Sequence, residues 1–476
     1  MKITVPADAK NTQNILTLIE EMGYKLPCNC QGKHLCSGKN YSFDCAMIPK
    51  ESVTVTLPES GQAVRGIALE NRPVLPGGAD TLLIDLGTTT VALVLLDRKT
   101  GVLRQTHVFP NPQRILGADV ISRIQASCAG QAKRLSELIR TALLEETSLL
   151  CRKNRQSVDE INSCLIGGNT TMIHLLMEYD CTPLASSPFV PGVKSPDSFR
   201  YGSATIHILP WMSAFVGGDI TAGIIACGLE TTDRTTLLID LGTNGEMVLS
   251  HNRHLYTTAT AAGPALEGAS LSCGCAAVPG AISQVRLHRN RAAITTIDNK
   301  LPIGLCGSGA FSLCAELLRN ALLQTDGILS DNFPADGISL GTTPQGRKLT
   351  FTAEDLRELQ LAIAAIGAGI DTLCFEASIS PDTIEMLYVG GGFGLFLDIS
   401  DCILLHMLPD IPTDRIQARG NTCLQGLYEL SINEGHHRHA VSLPYSTVNL
   451  ADNDCFKERF IRHMTYSDDV ISTTYS

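Results

Sequence analysis

The chain has 476 residues, of which 44% are hydrophobic, and this length predicts two or three domains rather than one core. A net charge of −11, without any block of Lys or Arg, argues against nucleic-acid and anionic-membrane partners. No apolar run reaches the roughly 18 residues that span a bilayer, and the first residues do not resemble a signal peptide, so we expect a cytoplasmic protein.

The first predicted element is a helix over NILTLIEEMGYKLP at 14–27, where apolar residues recur at helical spacing. Directly after it, four cysteines lie close together: Cys28, Cys30, Cys36 and Cys45. Cysteines of a cytoplasmic protein are expected to be reduced, and closely spaced thiolates are the usual ligands of iron–sulfur clusters. The segment therefore holds either a metal cluster or plain thiols.

The next feature is a repeat, because TLLIDLGT occurs at 81–88 and again at 236–243. Each copy is an apolar run broken by Asp-Leu-Gly-Thr and followed by a second apolar run, which predicts strand, tight turn and strand. Each half also carries an apolar strand that ends in paired glycines, CLIGGNTT at 164–171 and LYVGGGFG at 387–394. With helical patterns at 132–150 and 352–377, the main body is predicted to form two related α/β lobes, joined near 216–230.

Duplicated Asp-Leu-Gly-Thr turns suit the binding of a nucleotide's phosphates. A glycine brings backbone amides close to the phosphate, the Thr hydroxyl can donate to it, and the carboxylate can hold a hydrated Mg²⁺. One copy alone would be an ordinary hairpin turn, but two copies favour a nucleotide site. We therefore expect Asp85 and Asp240 to organise Mg²⁺ and the attacking water.

The remaining nucleotide-site predictions follow from the same loops. The residues expected to hold the phosphates are Gly87, Thr88, Thr89, Gly242, Thr243 and Asn244. The residues expected to line the adenosine site, where only glycine lets a base and ribose approach the backbone, are Gly390, Gly391 and Gly392. A dinucleotide fingerprint fits less well, because the acidic residue that it requires does not line up.

The hairpins and VGGGFG resemble the phosphate and adenosine motifs of the superfamily that contains acetate kinase, sugar kinases and actin. Several segments more narrowly resemble the ATP-dependent reductive activators of corrinoid proteins. They are NPQRILGADVISRI at 111–124, IGGNTTMIHLL at 166–176, AGPALEGASLSCGCAAVPGAI at 262–282, IGLCGSGAF at 303–311 and LADNDCFKERFIRHM at 450–464. This resemblance covers residues 80–465.

The resemblance implies an α/β fold of two duplicated actin-like, acetate-kinase-like lobes of the ribonuclease H type around a nucleotide cleft. A small α+β ferredoxin-like domain would precede them. The expected boundaries are residues 1–58 for this domain, 59–80 for a linker, 81–228 for the first lobe and 229–476 for the second.

The implied activity is the ATP-dependent return of a corrinoid protein from inactive Co(II) to Co(I), coupled to low-potential electron transfer. The implied partners are a corrinoid protein of a methyltransferase system and an electron-donor protein, and a homodimer stays open. By the same resemblance, Glu267 and Asp219 could reach Mg²⁺ or the attacking water, and Asn169 could face the nucleotide. Turn-capping roles would explain the same residue types.

The resemblance also bears on the N-terminal cysteines. Cys30, Cys36 and Cys45 fit the first, second and fourth ligands of a plant-type ferredoxin loop, but the third ligand is missing and Lys39 stands near its place. Cys28 would be the replacement ligand. An iron–sulfur cluster, with 2Fe–2S favoured over 4Fe–4S, and a degenerate domain without metal both remain open.

Two other functions remain open at this point. The first is a small-molecule kinase of the same superfamily, with Asp219 or Glu267 as the catalytic base. The second is an iron–sulfur ATPase that activates a radical or dehydratase enzyme, with a cluster at a subunit interface held by cysteines such as Cys306. For the cysteines of the Gly/Ala-rich segments we expect burial as small hydrophobes, and they are Cys273, Cys275, Cys306 and Cys314. The run GHHRHA at 435–440 is expected to be an exposed loop.

Overall fold

A computed structural model describes most of the chain outside the N-terminal segment. The described residues are 78–196, 198–242, 244–268, 270–288, 291–394, 397–433 and 444–467, with the backbone of β1 (Lys2–Val5) and β2 (Val53–Thr56), which pair antiparallel. Several predictions fall outside them: the four N-terminal cysteines Cys28, Cys30, Cys36 and Cys45, the helix at 14–27, Thr243 and the histidine run at 435–440. The side chain of Glu267 also lies outside the described residues.

The first lobe is built on a six-stranded sheet with the strand order β5-β4-β3-β6-β8-β7. Its central strands are mostly apolar and buried, as expected for strands that are covered on both faces. The strands are β3 (Thr81–Leu86), β4 (Thr90–Asp97), β5 (Val102–Pro110), β6 (Ser163–Gly168), β7 (Phe199–Tyr201) and β8 (Ala204–Ile208). The helices are α1 (Val120–Ala126), α2 (Ala132–Lys153), α3 (Thr170–Met177) and α4 (Gly218–Ala226).

The second lobe has a six-stranded sheet with the order β18-β17-β9-β10-β11-β19. Its strands are β9 (Thr236–Leu241), β10 (Gly245–His251), β11 (His254–Thr260), β17 (Met386–Gly390), β18 (Ile416–Gly420) and β19 (Tyr445–Thr447). Its helices are α6 (Ala353–Glu376), α7 (Gly391–Gly394), α8 (Ile399–Leu404), α9 (Thr422–Ile432) and α10 (Asp454–Arg462). Between β11 and α6 lie β12 (Ala281–His288), β13 (Arg291–Thr296), β14 (Gly304–Leu305), α5 (Gly307–Arg319), β15 (Ile338–Thr342) and β16 (Lys348–Phe351).

The two main sheets repeat the same pairing pattern. In each, an antiparallel three-stranded meander is joined through its first strand to two parallel strands. The aspartate of the repeated motif also has the same neighbour, since Asp85 pairs with Gly167 of β6 and Asp240 pairs with Gly390 of β17. This repetition confirms the predicted pair of α/β lobes, including the hairpins and the strands that end in glycines.

The lobes exchange helices where they meet. Helix α9 follows the second sheet in sequence, yet Leu424 and Leu427 pack against Leu83 and Leu165 of the first sheet. Helix α4 follows the first sheet, and its residues Ile220 and Ile224 pack in one cluster with Leu238 and Val248 of the second. The two helices therefore tie the lobes together at the base of the cleft, an arrangement that the sequence patterns did not predict.

Helix α6 is the one helix among the described residues that is long and apolar enough to cross a membrane, and 83% of its most apolar window is buried inside the fold. Its apolar residues, among them Ile363, Ile366 and Ile370, belong to the core of the second lobe. Burial of this kind is typical of a core helix, which passes the same test by length and composition.

Candidate functional site: a carboxylate-lined cleft between the lobes

The first hairpin turn is braced from three sides. The amide of Gly87 donates to the carbonyl of Thr90 at 3.1 Å and closes the turn. Asn111 donates from Nδ2 to the carbonyl oxygen of Gly87 at 2.9 Å. Asn169 donates from Nδ2 to Thr88 Oγ1 at 2.8 Å, and its own Oδ1 caps helix α3. Asn169 therefore lies beside the predicted phosphate loop and fixes its Thr88 side chain.

The second hairpin turn lies against the predicted adenosine glycines. The amide of Gly242 donates to the carbonyl of Asn244 at 2.9 Å. Gly391 has a φ of +83°, and a Cβ added there would lie 2.3 Å from the carbonyl oxygen of Leu241, so a side chain is excluded. A Cβ on Gly392, in contrast, would meet nothing within 4 Å. Gly392 thus leaves open space beside the second hairpin, as a site for a base and ribose requires.

Four carboxylates converge on the cleft: Asp85, Asp219, Asp240 and Glu246. Each keeps some solvent exposure, so they line the cleft instead of being sealed in the core. Desolvation raises all four pKa values, that of Asp219 to about 7 and that of Asp240 to about 6. Repulsion between neighbouring carboxylates adds to this effect at Asp219, Asp240 and Glu246. A cation bound among them would favour their ionised forms and relieve this repulsion.

One side-chain amide and one hydroxyl group at the start of α9 donate hydrogen bonds to the two motif aspartates. Asn421 donates from Nδ2 to Asp85 Oδ2 at 2.6 Å, and Thr422 donates from Oγ1 to Asp240 Oδ2 at 3.0 Å. The neighbouring Cys423 thiol is buried beside Asp85, and desolvation together with this carboxylate raises the pKa of the thiol well above its usual range. It therefore stays protonated at neutral pH.

The carboxylates suit a hydrated Mg²⁺. Among the described residues, no three His, Cys, Asp or Glu side chains are placed to share one metal ion directly. Mg²⁺ usually keeps several of its waters and takes only one or two protein carboxylates together with substrate phosphates. A pair such as Asp85 and Asp240, each the last residue but one of its strand, fits that mode, with Asp219 and Glu246 within electrostatic reach.

The structure brings together most of the residues predicted from the motifs, namely Asp85, Gly87, Thr88, Thr89, Asn169, Asp219, Asp240, Gly242, Asn244, Gly390, Gly391 and Gly392. Their roles toward a nucleotide remain predictions. The sequence patterns missed Glu246, Asn421, Thr422 and Cys423. Glu246 had a signal, because it is a charged residue at the start of an apolar strand, directly after the turn. Asn421 caps the start of α9, and no sequence pattern places this helix beside the cleft.

Cys306 has a different environment from the one that an interface cluster would need. Its side chain is 1% exposed, and Sγ donates to the carbonyl oxygen of Ile282 at 3.1 Å. Cys273, Cys275 and Cys314 are also buried, which confirms the expectation of small buried hydrophobes. None of the described cysteines forms a disulfide bond.

This fold, with phosphate-type hairpins in both lobes and acidic residues between them, defines an ATPase of the actin-like class. Comparison with known families narrows the class. The profile of the RACo middle region matches residues 81–232, and that of the C-terminal domain of RACo, the ASKHA domain, matches residues 234–475. The chain belongs to the RACo family.

Individual relatives agree with this assignment. The chain is 30% identical over 421 residues to the corrinoid activation enzyme RamQ of Eubacterium limosum, covering 82% of this chain and 71% of RamQ. It is 25% identical over 432 residues to the [Co(II) methylated amine-specific corrinoid protein] reductase of Methanosarcina barkeri, covering 81% and 76%. A solved structure titled reductive activator for corrinoid,iron-sulfur protein superposes with a TM-score of 0.72 at 26% identity, over 98% of this chain and 78% of that one.

Proposed function

We propose that this chain is an ATP-hydrolysing reductive activase that returns a corrinoid protein from inactive Co(II) to Co(I). The observation that carries the proposal is the pair of repeated hairpins, whose aspartates Asp85 and Asp240 meet at one carboxylate-lined cleft in a member of the RACo family. The names of the relatives support the choice of a corrinoid protein as the target.

The residues of the cleft suit ATP hydrolysis in distinct ways. The amides of Gly87 and Gly242 close their own turns, and the other amides and hydroxyls of the two turns would donate to phosphate oxygens. The open space at Gly392 would accommodate the adenosine. Mg²⁺, when bound, neutralises charge on the phosphates. Asp219, with a pKa near 7, is suited to accept a proton from the attacking water, because a general base works best when its pKa is close to the working pH.

The need for ATP follows from the redox step. One electron from a low-potential donor converts Co(II) to Co(I), which is an uphill transfer, while water converts ATP to ADP and phosphate. A nucleotide can assist only if it binds one state of the protein or of the complex more tightly than another. The two lobes on either side of the cleft offer such states, because the nucleotide contacts predicted here belong to both.

We further propose that the N-terminal segment carries an iron–sulfur cluster, with 2Fe–2S favoured. Its support is the spacing of Cys30, Cys36 and Cys45, with Cys28 as the replacement for the missing third ligand. Iron and acid-labile sulfide analysis after anaerobic isolation tests this directly. Loss of the visible absorption in Cys28→Ser but not in Cys273→Ser supports these ligands, and an iron-free protein after reconstitution would exclude the cluster.

We also propose a cellular location and an electron-donating partner for this chain. We expect a soluble cytoplasmic protein that receives electrons from a separate donor protein. Cys306 is buried, so it does not support a cluster at a subunit interface. Incubation with ATP and candidate metabolites distinguishes the kinase function. Free phosphate without any phosphorylated product supports the activase, and stoichiometric transfer to a metabolite would overturn it.

A further inference from the structure

Residues 421–423 contact the functional aspartates of both lobes. Asn421 bonds to Asp85 of the first hairpin, and Thr422 bonds to Asp240 of the second. These are consecutive residues, so the backbone between them fixes how far apart the two donors can lie. Any change in the separation of the two aspartates must stretch or break at least one of these hydrogen bonds.

The position of this tripeptide in the chain makes the link an interlobe one. Strand β18, which ends at Gly420, belongs to the second sheet, whereas α9, which begins at Thr422, packs in the core of the first. The chain thus passes from one lobe to the other at these residues. At this passage, Asn421 is hydrogen-bonded to Asp85 of the first lobe, and Thr422 is hydrogen-bonded to Asp240 of the second lobe.

Glycines of three different elements leave room for this tripeptide. A Cβ on Gly223 of α4 would lie 3.1 Å from Thr422 Oγ1, and one on Gly390 of β17 would lie 3.0 Å from Thr422 Cγ2. A Cβ on Gly167 of β6 would lie 2.5 Å from Cys423 Sγ. The side chains of Thr422 and Cys423 are therefore closely packed against both lobes, and they have little freedom to move independently of them.

We propose that Asn421 and Thr422 are positioning residues that hold Asp85 and Asp240 at one fixed separation and couple that separation to the opening of the cleft. The inference rests on the proposed ATP hydrolysis, whose two motif aspartates it concerns. Neither residue needs to contact the nucleotide. Each acts through the carboxylate that it orients, so its loss should affect turnover more than nucleotide affinity.

The variants can separate this role from simple structural support. Asn421 also caps α9, because its Oδ1 accepts from the amide of Leu424 at 2.7 Å. Asn421→Asp keeps an acceptor for the cap, since Asp and Asn are equally good capping residues, but it replaces the donor to Asp85 with a second carboxyl group. The comparison without added charge is therefore made at Thr422. At the next position, Thr422→Val removes the hydroxyl at nearly constant shape, and Thr422→Ser restores it.

A matched control lies elsewhere in the second lobe. Asn453 caps α10 through the amide of Phe456 at 2.9 Å and donates from Nδ2 to Glu376 Oε1 at 3.3 Å. It therefore combines a cap with a donor to a carboxylate, as Asn421 does, at an exposed site. Asn453→Asp should leave the rate of ATP hydrolysis unchanged.

We expect Asn421→Asp and Thr422→Val to lower kcat by about 10²-fold, with the Kd for nucleotide changed less than about threefold, while Thr422→Ser stays within about threefold of the wild type. Circular dichroism and thermal melting confirm that each variant is folded. A kcat within about threefold of the wild type in folded Asn421→Asp and Thr422→Val would overturn the inference. So would equal losses in Thr422→Val and Thr422→Ser, or an equal loss in Asn453→Asp.

The same assay separates this inference from the proposed function. Asp240→Ala removes the carboxylate itself and is measured in parallel. If Asp240→Ala abolishes turnover while Asn421→Asp and Thr422→Val do not, the cleft hydrolyses ATP as proposed and only the positioning role is wrong. If Asp240→Ala also retains turnover, the nucleotide site itself is misassigned.

Discussion

Asp240 and Glu246 stand directly opposite each other in the antiparallel pair of β9 and β10. Like charges opposite each other in a sheet destabilise it, and both carboxyl groups have raised pKa values in the nucleotide-free protein. Asn244 donates from Nδ2 to Glu246 Oε1 at 3.3 Å, and this bond offsets only part of the rise in the pKa of Glu246 that burial causes. A cation bound beside this pair would relieve the repulsion between the two carboxyl groups.

The first prediction concerns this pair. Glu246→Gln keeps the size of the side chain and removes one of the two opposed acids. The free energy of unfolding without nucleotide should increase at neutral pH, because the neutral amide avoids the cost of burying the Glu246 carboxyl group beside Asp240. The rate of ATP hydrolysis should fall. Chemical denaturation and a phosphate-release assay measure the two effects. An unstable but fully active Glu246→Gln protein would contradict the prediction in both respects.

The second prediction concerns pH. Asp219 keeps its proton up to about pH 7 in the folded protein, whereas the unfolded chain releases it near pH 4. Between these values the folded state binds more protons, so the contribution of Asp219 to the free energy of unfolding falls as the pH rises. Asp219→Asn lacks this penalty. Its stability relative to the wild type should therefore increase from about pH 4 to about pH 7 and level off above.

The measurement for this prediction is urea denaturation of both proteins across that pH range, without Mg²⁺. A difference in stability that does not change with pH would show that Asp219 is ionised throughout. Addition of Mg²⁺ and ATP should reduce the difference, because a bound cation favours the ionised wild-type carboxylate.

The sequence predicted the architecture well where a motif was repeated. TLLIDLGT, present twice, predicted both hairpins and the duplicated lobes, because alternation of apolar runs and turn residues is a local property. The contact between Asn421 and Asp85 was not predictable, since the two residues are 336 positions apart and meet only through the exchange of α4 and α9 between lobes. Glu246 lay within a quoted strand, but its role depends on the register that places it opposite Asp240.

The third prediction tests the adenosine glycines. Gly392→Ala should leave the melting temperature unchanged, because its Cβ would meet nothing in the nucleotide-free protein, but it should weaken ATP binding if the adenosine lies there. Gly391→Ala should destabilise the protein outright, because of its φ of +83° and the nearby carbonyl oxygen of Leu241. Calorimetry with ATP and thermal melting compare the two. Unchanged ATP affinity in Gly392→Ala would place the adenosine elsewhere.

The fourth prediction tests the crossing of α4 and α9. A Cβ on Gly426 would lie 1.9 Å from the carbonyl oxygen of Ala222, so Gly426→Ala must push the two helices apart. Overpacking of this kind costs about 1–3 kcal/mol, more than the gain in helix propensity from Ala. Gly192→Ala is the control, since its Cβ would meet only Pro183 at 3.6 Å. Equal stability of the two variants in denaturant would show that helices α4 and α9 can move apart at this contact without loss of stability.

ATP hydrolysis at this cleft is proposed to drive the reduction of a corrinoid protein. The direct measurement follows the absorption of a corrinoid protein in the Co(II) state during incubation with this protein and a low-potential reductant, with and without Mg²⁺ and ATP. Asp240→Ala and the exposed Asp233→Ala are run in parallel, since Asp233 has an 89% exposed side chain. We expect Co(I) to form only with ATP, and about 10²-fold more slowly with Asp240→Ala than with the wild type or Asp233→Ala. Equal formation of Co(I) without ATP, or with Asp240→Ala, would show that ATP hydrolysis at this cleft does not drive the reduction.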